Sequence, residues 1–178
     1  MGTAWRIGFC ALLALALLGD VAAQEKKGEV APPNATGPQE AEVLGVVIDQ
    51  RIAQPLVVLR GKRDKRNLAM VIGHAEANGI ALPLNGITPP RPLTHDLFLT
   101  LFGRLHVTIR RVVITDLRDD IYYATLYLKA NGSEMMLDSR PSDAIALALR
   151  AKAPILVEDR VFDKAGTLPS RPGASPHF

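Results

Sequence analysis

Residues 138–150, DSRPSDAIALALR, constrain the fold of this 178-residue chain more than any other stretch. Pro141 suits the first turn of a helix, because its φ is fixed near the helical value and its missing N–H loses no bond there. Ser142 and Asp143 can accept hydrogen bonds from the free N–H groups of that turn. From Ala144 onward the side chains are apolar almost all round, which predicts a buried helix. The polar residues in front of it can bind phosphate or metal, take part in catalysis, or simply cap the helix.

The hydrophobic pattern elsewhere predicts an α+β fold: a single domain with a mixed, mostly antiparallel sheet and about three helices. β-branched and aliphatic runs predict strands at residues 43–48, 56–59, 68–72, 106–117, 121–128, 135–137 and 155–157. Asn131 and Gly132 both tolerate positive φ, which indicates a hairpin turn between two of these strands.

Helices are predicted at residues 74–84, after an N-cap at Thr94, and from Pro141, with a further helical turn at residues 159–164. Pro83 interrupts the first of them, because it lacks a backbone N–H and its ring presses on the carbonyl of Gly79. That helix is therefore expected to end or kink near Pro83.

The first 23 residues are typical of a signal peptide. Arg6 provides a positive charge, residues 7–18 are nearly all apolar, and Val21, Ala22 and Ala23 form a small-residue cleavage site. A membrane span needs ~20 apolar residues, so this segment is short for one. Cleavage after Ala23 would give a secreted or periplasmic protein without a stable membrane span, and an uncleaved anchor is the alternative.

The signal peptide is followed by a polar, proline-containing segment, residues 24–41, which we predict to be a disordered tether. The folded domain is expected at residues 42–164. Residues 165–178 are rich in proline, serine and glycine and predict a second disordered segment.

The net charge of +3 is mild, so charge alone gives little support for a polyanionic partner. The turn at residues 60–66, RGKRDKR, nevertheless contains five cations. It is either a solvated turn or a site where phosphate groups are attracted by Lys62, Arg63, Lys65 and Arg66. The single cysteine, Cys10, precedes the domain, which excludes a disulfide or a cysteine-based metal site within the domain.

Four motifs occur in order along the domain: IGHAEA at residues 72–77, PRPLTHDL at 90–97, VITDL at 113–117 and SRPSDAIA at 139–146. Together they resemble the bifunctional nuclease domain family, over about residues 42–164. The resemblance implies a hydrolase acting on ester bonds, which cleaves the phosphodiester bonds of RNA and DNA.

Phosphodiester hydrolysis needs an activated water, neutralisation of charge on the phosphate, and a proton for the leaving oxygen. Carboxylates that hold Mg²⁺ or Mn²⁺ supply the first two requirements in many nucleases. The candidate catalytic and metal-binding carboxylates are Glu76, Asp96 and Asp143. The candidate for catalytic proton transfer is His95, and the candidate phosphate-binding arginines are Arg140 and Arg91.

Each candidate also has a structural interpretation. Asp143 can cap its helix, and Asp96 suits the positive end of the helix dipole without any chemistry. Arg140 can pair with Asp143 or Glu76 and fix the start of the helix. Because helix N-termini attract anions, these residues form a phosphate-binding site only if the helix starts converge.

Two non-catalytic functions remain open. One is a nucleic-acid-binding or regulatory module, which would bind in a salt-dependent way without turnover. The other is a structural or oligomerisation domain of the cell envelope, in which the apolar strand edge at residues 43–48 pairs across a homodimer.

Overall fold

The structure, a computed structural model, describes residues 37–167. The predicted signal peptide, residues 24–36 of the predicted tether and residues 168–178 lie outside the described residues. The described part contains seven strands: β1 (Gln39–Asp49), β2 (Gln54–Gly61), β3 (Asn67–Val71), β4 (Val107–Arg118), β5 (Ile121–Ala130), β6 (Ser133–Ser139) and β7 (Ile155–Val157). Its four helices are α1 (His74–Leu84), α2 (Thr94–Arg104), α3 (Pro141–Ala151) and α4 (Asp159–Thr167).

The seven strands form one sheet in the order β3-β2-β1-β7-β4-β5-β6. Neighbouring strands are antiparallel except β4 and β7, which are parallel. This parallel pair exists because α3 carries the chain from β6, at the edge, back to β7 in the middle of the sheet. The predicted α+β class with a mixed, mostly antiparallel sheet is confirmed.

Helix α3 lies at the centre of the hydrophobic core. Its residues 144–148 are all buried, as the apolar sequence predicts, and the helix packs on β4 and β5 and against α1 and α2. Val112 and Ile114 of β4 and Leu126 of β5 belong to the same core. Burial of this helix therefore brings α1 and α2 together on its surface.

The structure differs from the sequence-based prediction at the start of the domain. β1 begins at Gln39, within the predicted tether, and the Gln39 side chain is only 3 % exposed. Its Nε2 donates to Asp64 at 2.7 Å and to Asp159 at 3.2 Å, and its Oε1 accepts from the N–H of Arg63. These partners are distant in sequence, so the hydrophobic pattern could not reveal them.

One helix start also differs from the prediction. Thr94 is the first residue of α2 rather than its N-cap, and the Asp96 carboxylate accepts a hydrogen bond from the Leu93 N–H at 2.8 Å. α1 continues one residue past Pro83 and ends at Leu84, in agreement with an end near the proline. No helix within residues 37–167 is long and apolar enough to cross a bilayer.

The two hairpin turns on either side of β5 have the same backbone geometry. Asp119 and Asp120 have φ values of 49° and 62°, and Asn131 and Gly132 have values of 49° and 82°. Positive φ at both central residues defines the type I′ turn, whose twist matches that of the strands. The Asn-Gly sequence signal is confirmed, and the second turn reaches the same geometry with two aspartates.

We expect Gly132→Ala to lower the free energy of unfolding by about 1–2 kcal/mol, because an alanine is strained at this positive φ. Gly103→Ala in α2 is the matched control, since the space around both glycines is open and only Gly132 has a positive φ. The control should gain about 0.5–1 kcal/mol from the helical preference of alanine. Urea denaturation measures both values, and equal effects would contradict the assigned turn geometry.

Candidate functional site

The predicted catalytic residues lie in the first turns of three helices. Glu76 belongs to α1, His95 and Asp96 to α2, and Asp143 to α3. Because α3 packs against both α1 and α2, the starts of these three helices are held in one region of the molecule.

Arg140, which immediately precedes α3, joins two of the carboxylates. Its Nε lies 2.7 Å from Asp143 Oδ2, and its Nη2 lies 3.1 Å from Asp143 Oδ1 and 3.0 Å from Glu76 Oε1. The expected pairing of Arg140 with Asp143 and Glu76 is therefore confirmed. The Arg140 side chain remains 51 % exposed, so it can still be reached from solvent.

His95 completes this cluster from the side of α2. Its Nε2 lies 3.5 Å from Asp143 Oδ1, and its side chain is only 16 % exposed. The separation is longer than an ordinary hydrogen bond, as catalytic pairs often are before substrate binds. Asp143 therefore faces a histidine and an arginine, and its oxygens contact these side chains rather than cap the helix.

The charge state of Asp143 follows from these contacts. The interaction with His95 has the largest effect, Arg140 adds to it, and together they outweigh burial and hold the pKa of Asp143 at about 2. Asp143 is consequently ionised at neutral pH. An ionised carboxylate beside an imidazole can orient it and stabilise its protonated form.

Asp96 binds Arg150 instead of Arg140. Arg150 Nε lies 2.7 Å from Asp96 Oδ1, and its Nη1 donates to the carbonyl oxygens of Gly79 at 2.6 Å and Ala146 at 2.9 Å. Burial acts to raise the pKa of Asp96, but the hydrogen bonds from the Leu93 N–H and from Arg150 outweigh it and lower the pKa. One guanidinium thus connects α1, α2 and α3.

Sequence reasoning did not identify Arg150 as part of the site. Its side chain is 8 % exposed, which is rare for an arginine and requires that its donors be satisfied. A signal did exist in α1. Pro83 has no N–H for the carbonyl of Gly79, four residues earlier, so that carbonyl needed another donor.

The three predicted metal-binding carboxylates are each engaged by an arginine. Arg140 contacts Glu76 and Asp143, and Arg150 contacts Asp96. Among residues 37–167, no group of three or more His, Cys, Asp and Glu side chains is arranged to hold a metal ion. The arrangement of these residues therefore does not fit a resident divalent cation.

The basic turn between β2 and β3 is bound to acidic residues. Arg63 Nη2 lies 2.7 Å from Asp159 Oδ1, and Arg66 contacts both Asp64 and Asp159. Arg66 also reaches Asp163 at 2.6 Å, and Lys62 pairs with Glu40. Burial acts to raise the pKa of Asp64, but hydrogen bonds from Arg66 and Gln39 hold it at about 2.

This network attaches the basic turn to α4, so the turn is neither simply solvated nor an open cationic surface. Lys65, at a φ of 63°, and Arg91, in the connection between α1 and α2, are exposed. Neither forms an ion pair with residues in the described range. Of the predicted phosphate-binding residues, only Arg140 lies in the cluster with His95.

Comparison with known proteins gives one family. The model of the bifunctional nuclease domain matches residues 57–170. An uncharacterised protein of Mycobacterium tuberculosis (strain H37Rv) is 41 % identical over 129 residues, which are 72 % of this chain and 77 % of the relative. Bifunctional nuclease 1 of Oryza sativa subsp. japonica is 36 % identical over 98 residues, 53 % of this chain and 30 % of the relative. Bifunctional nuclease 2 of Arabidopsis thaliana is 28 % identical over 106 residues, 50 % of this chain and 32 % of the relative.

We expect Arg150→Met to lower the free energy of unfolding by about 3 kcal/mol, because Asp96 and the Gly79 carbonyl lose a largely buried donor. Arg104→Met, at the exposed end of α2, is the matched control and should change stability by no more than about 0.5 kcal/mol. Chemical denaturation measures both. A loss no larger than that of the control would show that Arg150 does not hold the helices together.

Asp143 should make stability depend on acid pH. Its folded pKa of about 2 lies below the value of about 3.9 for an unfolded aspartate. Ionised Asp143 therefore adds stability that is fully present above about pH 4 and is lost as the pH falls through about 2. The stability difference between the wild type and Asp143→Asn should shrink over that range in urea denaturation. A difference independent of pH would contradict the lowered pKa.

His95→Ala gives the control for this pH dependence. His95 makes the largest contribution to the lowered pKa of Asp143. When His95 is replaced by alanine, the effect of Asp143→Asn on the free energy of unfolding should therefore depend less on pH.

Proposed function

The chain belongs to the bifunctional nuclease domain family, and on this premise we propose that it hydrolyses phosphodiester bonds of RNA and DNA. The observation that carries the proposal is the cluster of His95, Asp143 and Arg140. It combines a proton-transfer group, the carboxylate that orients it, and a solvent-accessible cation for phosphate. The names of the rice and Arabidopsis relatives support the same reaction.

His95 is the proposed general base. Attack of a water oxygen on phosphorus forms one P–O bond, breaks the ester P–O bond, and requires the water to lose a proton. Because Nε2 faces Asp143, the imidazole takes up this proton at Nδ1, and the Asp143 carboxylate stabilises the imidazolium that results. The same proton can then pass to the leaving oxygen, so that His95 returns to its neutral form.

Arg140 is the proposed phosphate-binding residue. Its contacts with Asp143 and Glu76 use Nε and Nη2, and no residue in the range 37–167 accepts a hydrogen bond from Nη1. Nη1 can donate to a non-bridging phosphate oxygen while the carboxylates hold the guanidinium in place. The proposed role of Glu76 is therefore to hold Arg140.

Participation of Mg²⁺ or Mn²⁺ stays a prediction from the candidate carboxylates in the sequence. Because Arg140 bridges Glu76 and Asp143, and Arg150 holds Asp96, we derive no step through a metal. Asp96 is proposed to fix the start of α2 next to His95 rather than to bind an ion.

A non-catalytic nucleic-acid-binding or regulatory module is the second candidate function. The observation in its favour is that arginines neutralise Glu76, Asp96 and Asp143, which is also what a purely structural role requires. Nucleic-acid affinity that falls with salt, without turnover, would support this candidate instead.

Two further predictions concern the setting of the domain. Residues 43–49 of β1 pair with β2 on one side, whereas β7 pairs only with Gln39, Glu40 and Ala41. This leaves an edge of β1 without a strand partner in the described region, and Val47 and Ile48 beside it are exposed. We propose a homodimer that pairs this edge.

Secretion or a periplasmic location stays a prediction from residues 1–23.

We expect purified protein to hydrolyse RNA and single-stranded DNA, and His95→Ala to lower kcat about 10²–10⁴-fold, as loss of a general base does. Asp143→Asn should also lower kcat, because the imidazolium loses its carboxylate. His106→Asn is the matched control, since His106 is exposed at a φ of 56° that asparagine tolerates. Hydrolysis is followed with and without a chelator.

Equal activity of His95→Ala, Asp143→Asn and wild type would refute the assigned site. Loss of wild-type activity with chelator, restored by Mg²⁺ or Mn²⁺, would show that a metal takes part.

A further inference from the structure

Gly79 stands at an unfavourable place for a glycine. It is buried in the middle of α1, where glycine costs about 0.5–1 kcal/mol relative to alanine. A Cβ added there would lie 2.8 Å from Cε1 and 3.2 Å from Nδ1 of His95, and 3.8 Å from the Cβ of Ala146. The imidazole therefore occupies the space that a side chain at residue 79 would need.

The backbone of Gly79 contributes a second contact to the same region. Pro83 cannot donate to the Gly79 carbonyl, and Arg150 Nη1 does so at 2.6 Å. Arg150 also holds Asp96, the residue that follows His95 in α2. The missing side chain of Gly79 thus leaves room for the imidazole. The Gly79 carbonyl, by binding Arg150, helps to fix the turn of α2 that carries His95.

We propose that Gly79 is a positioning residue for His95: by lacking a side chain, it lets the imidazole pack between α1 and α3 with Nε2 facing Asp143. This goes beyond the assignment of His95, since it names the residue that sets its orientation. Only the effect on turnover rests on the proposed nuclease function.

The direct test is Gly79→Ala, with Gly103→Ala as the matched helical glycine that has open space around it. The charged groups that face Asp143 are His95 and Arg140, and Glu76 is reached through Arg140. Displacement of His95 should raise the titration midpoint of the Asp143 carboxyl from about 2, measured by NMR, since His95 contributes most to the lowered pKa. Gly103→Ala should leave this midpoint unchanged.

Turnover is the second readout. Gly79→Ala should lower kcat at least ~10-fold with a smaller change in KM, because a misplaced proton-transfer group slows the chemical step. Gly103→Ala should keep wild-type kcat. Gly79→Ala with the wild-type Asp143 titration and wild-type kcat would overturn the proposal. If the wild type shows no hydrolysis, the nuclease function fails, whereas the NMR titration still decides the role of Gly79.

A double variant separates positioning from a general effect on folding. In a His95→Ala background the space beside residue 79 is open, so Gly79→Ala should raise the midpoint of thermal unfolding as alanine does in an ordinary helix. In the wild-type background it should raise the midpoint less or lower it, because the imidazole must move. Equal changes in the two backgrounds would show that Gly79 and His95 are not coupled and would overturn the proposal.

Discussion

The interaction on which the site depends is the one made by the guanidinium of Arg150. It donates to a carboxylate of α2, to a carbonyl of α1 and to a carbonyl of its own helix, in a place almost closed to solvent. One bond supplies the Gly79 carbonyl with the donor that Pro83 cannot provide, and another gives the ionised Asp96 a cationic partner. Because the guanidinium is planar and its donors point in fixed directions, it sets the relative positions of the three helices.

The helix that carries Arg150 owes its own position to burial. Alanines at residues 144, 146 and 148 are fully buried and are small enough for close approach of the neighbouring helices and strands. Ile145 and Leu147 fill the remaining space of the core. With its body fixed in this way, α3 presents one end, Arg140 and Asp143, to the cluster with His95, while Arg150 at the other end binds α2. The body of one buried helix thus belongs to the hydrophobic core, and its two ends belong to the polar site.

The two clusters of charge described above, the basic turn and the candidate site, are held by ion pairs. The basic turn of β2 and β3 binds Asp159 and Asp163 of α4, and the candidate site binds its own arginines. The mild net charge agrees with this arrangement. Other cations of the described region, among them Lys65 and Arg91, form no ion pair there, but Arg140 is the cation beside His95, and it is half exposed and has a donor to spare. The phosphate recognition proposed for this site therefore depends on the geometry of the Arg140 donors more than on a long-range field.

The sequence by itself determined the elements and the types of chemical group. Periodicity and turn signals are local, so the strands, the helix from Pro141 and the hairpin at Asn131-Gly132 were predictable, and four motifs indicated the family. Burial of Gln39 was not, since its partners lie 25 and 120 residues away. Only the tertiary structure decided that His95 joins Arg140 and Asp143 whereas Asp96 turns to Arg150, 54 residues later. The reason is physical: which side chains meet depends on how α3 packs against α1 and α2, and no local pattern encodes that packing.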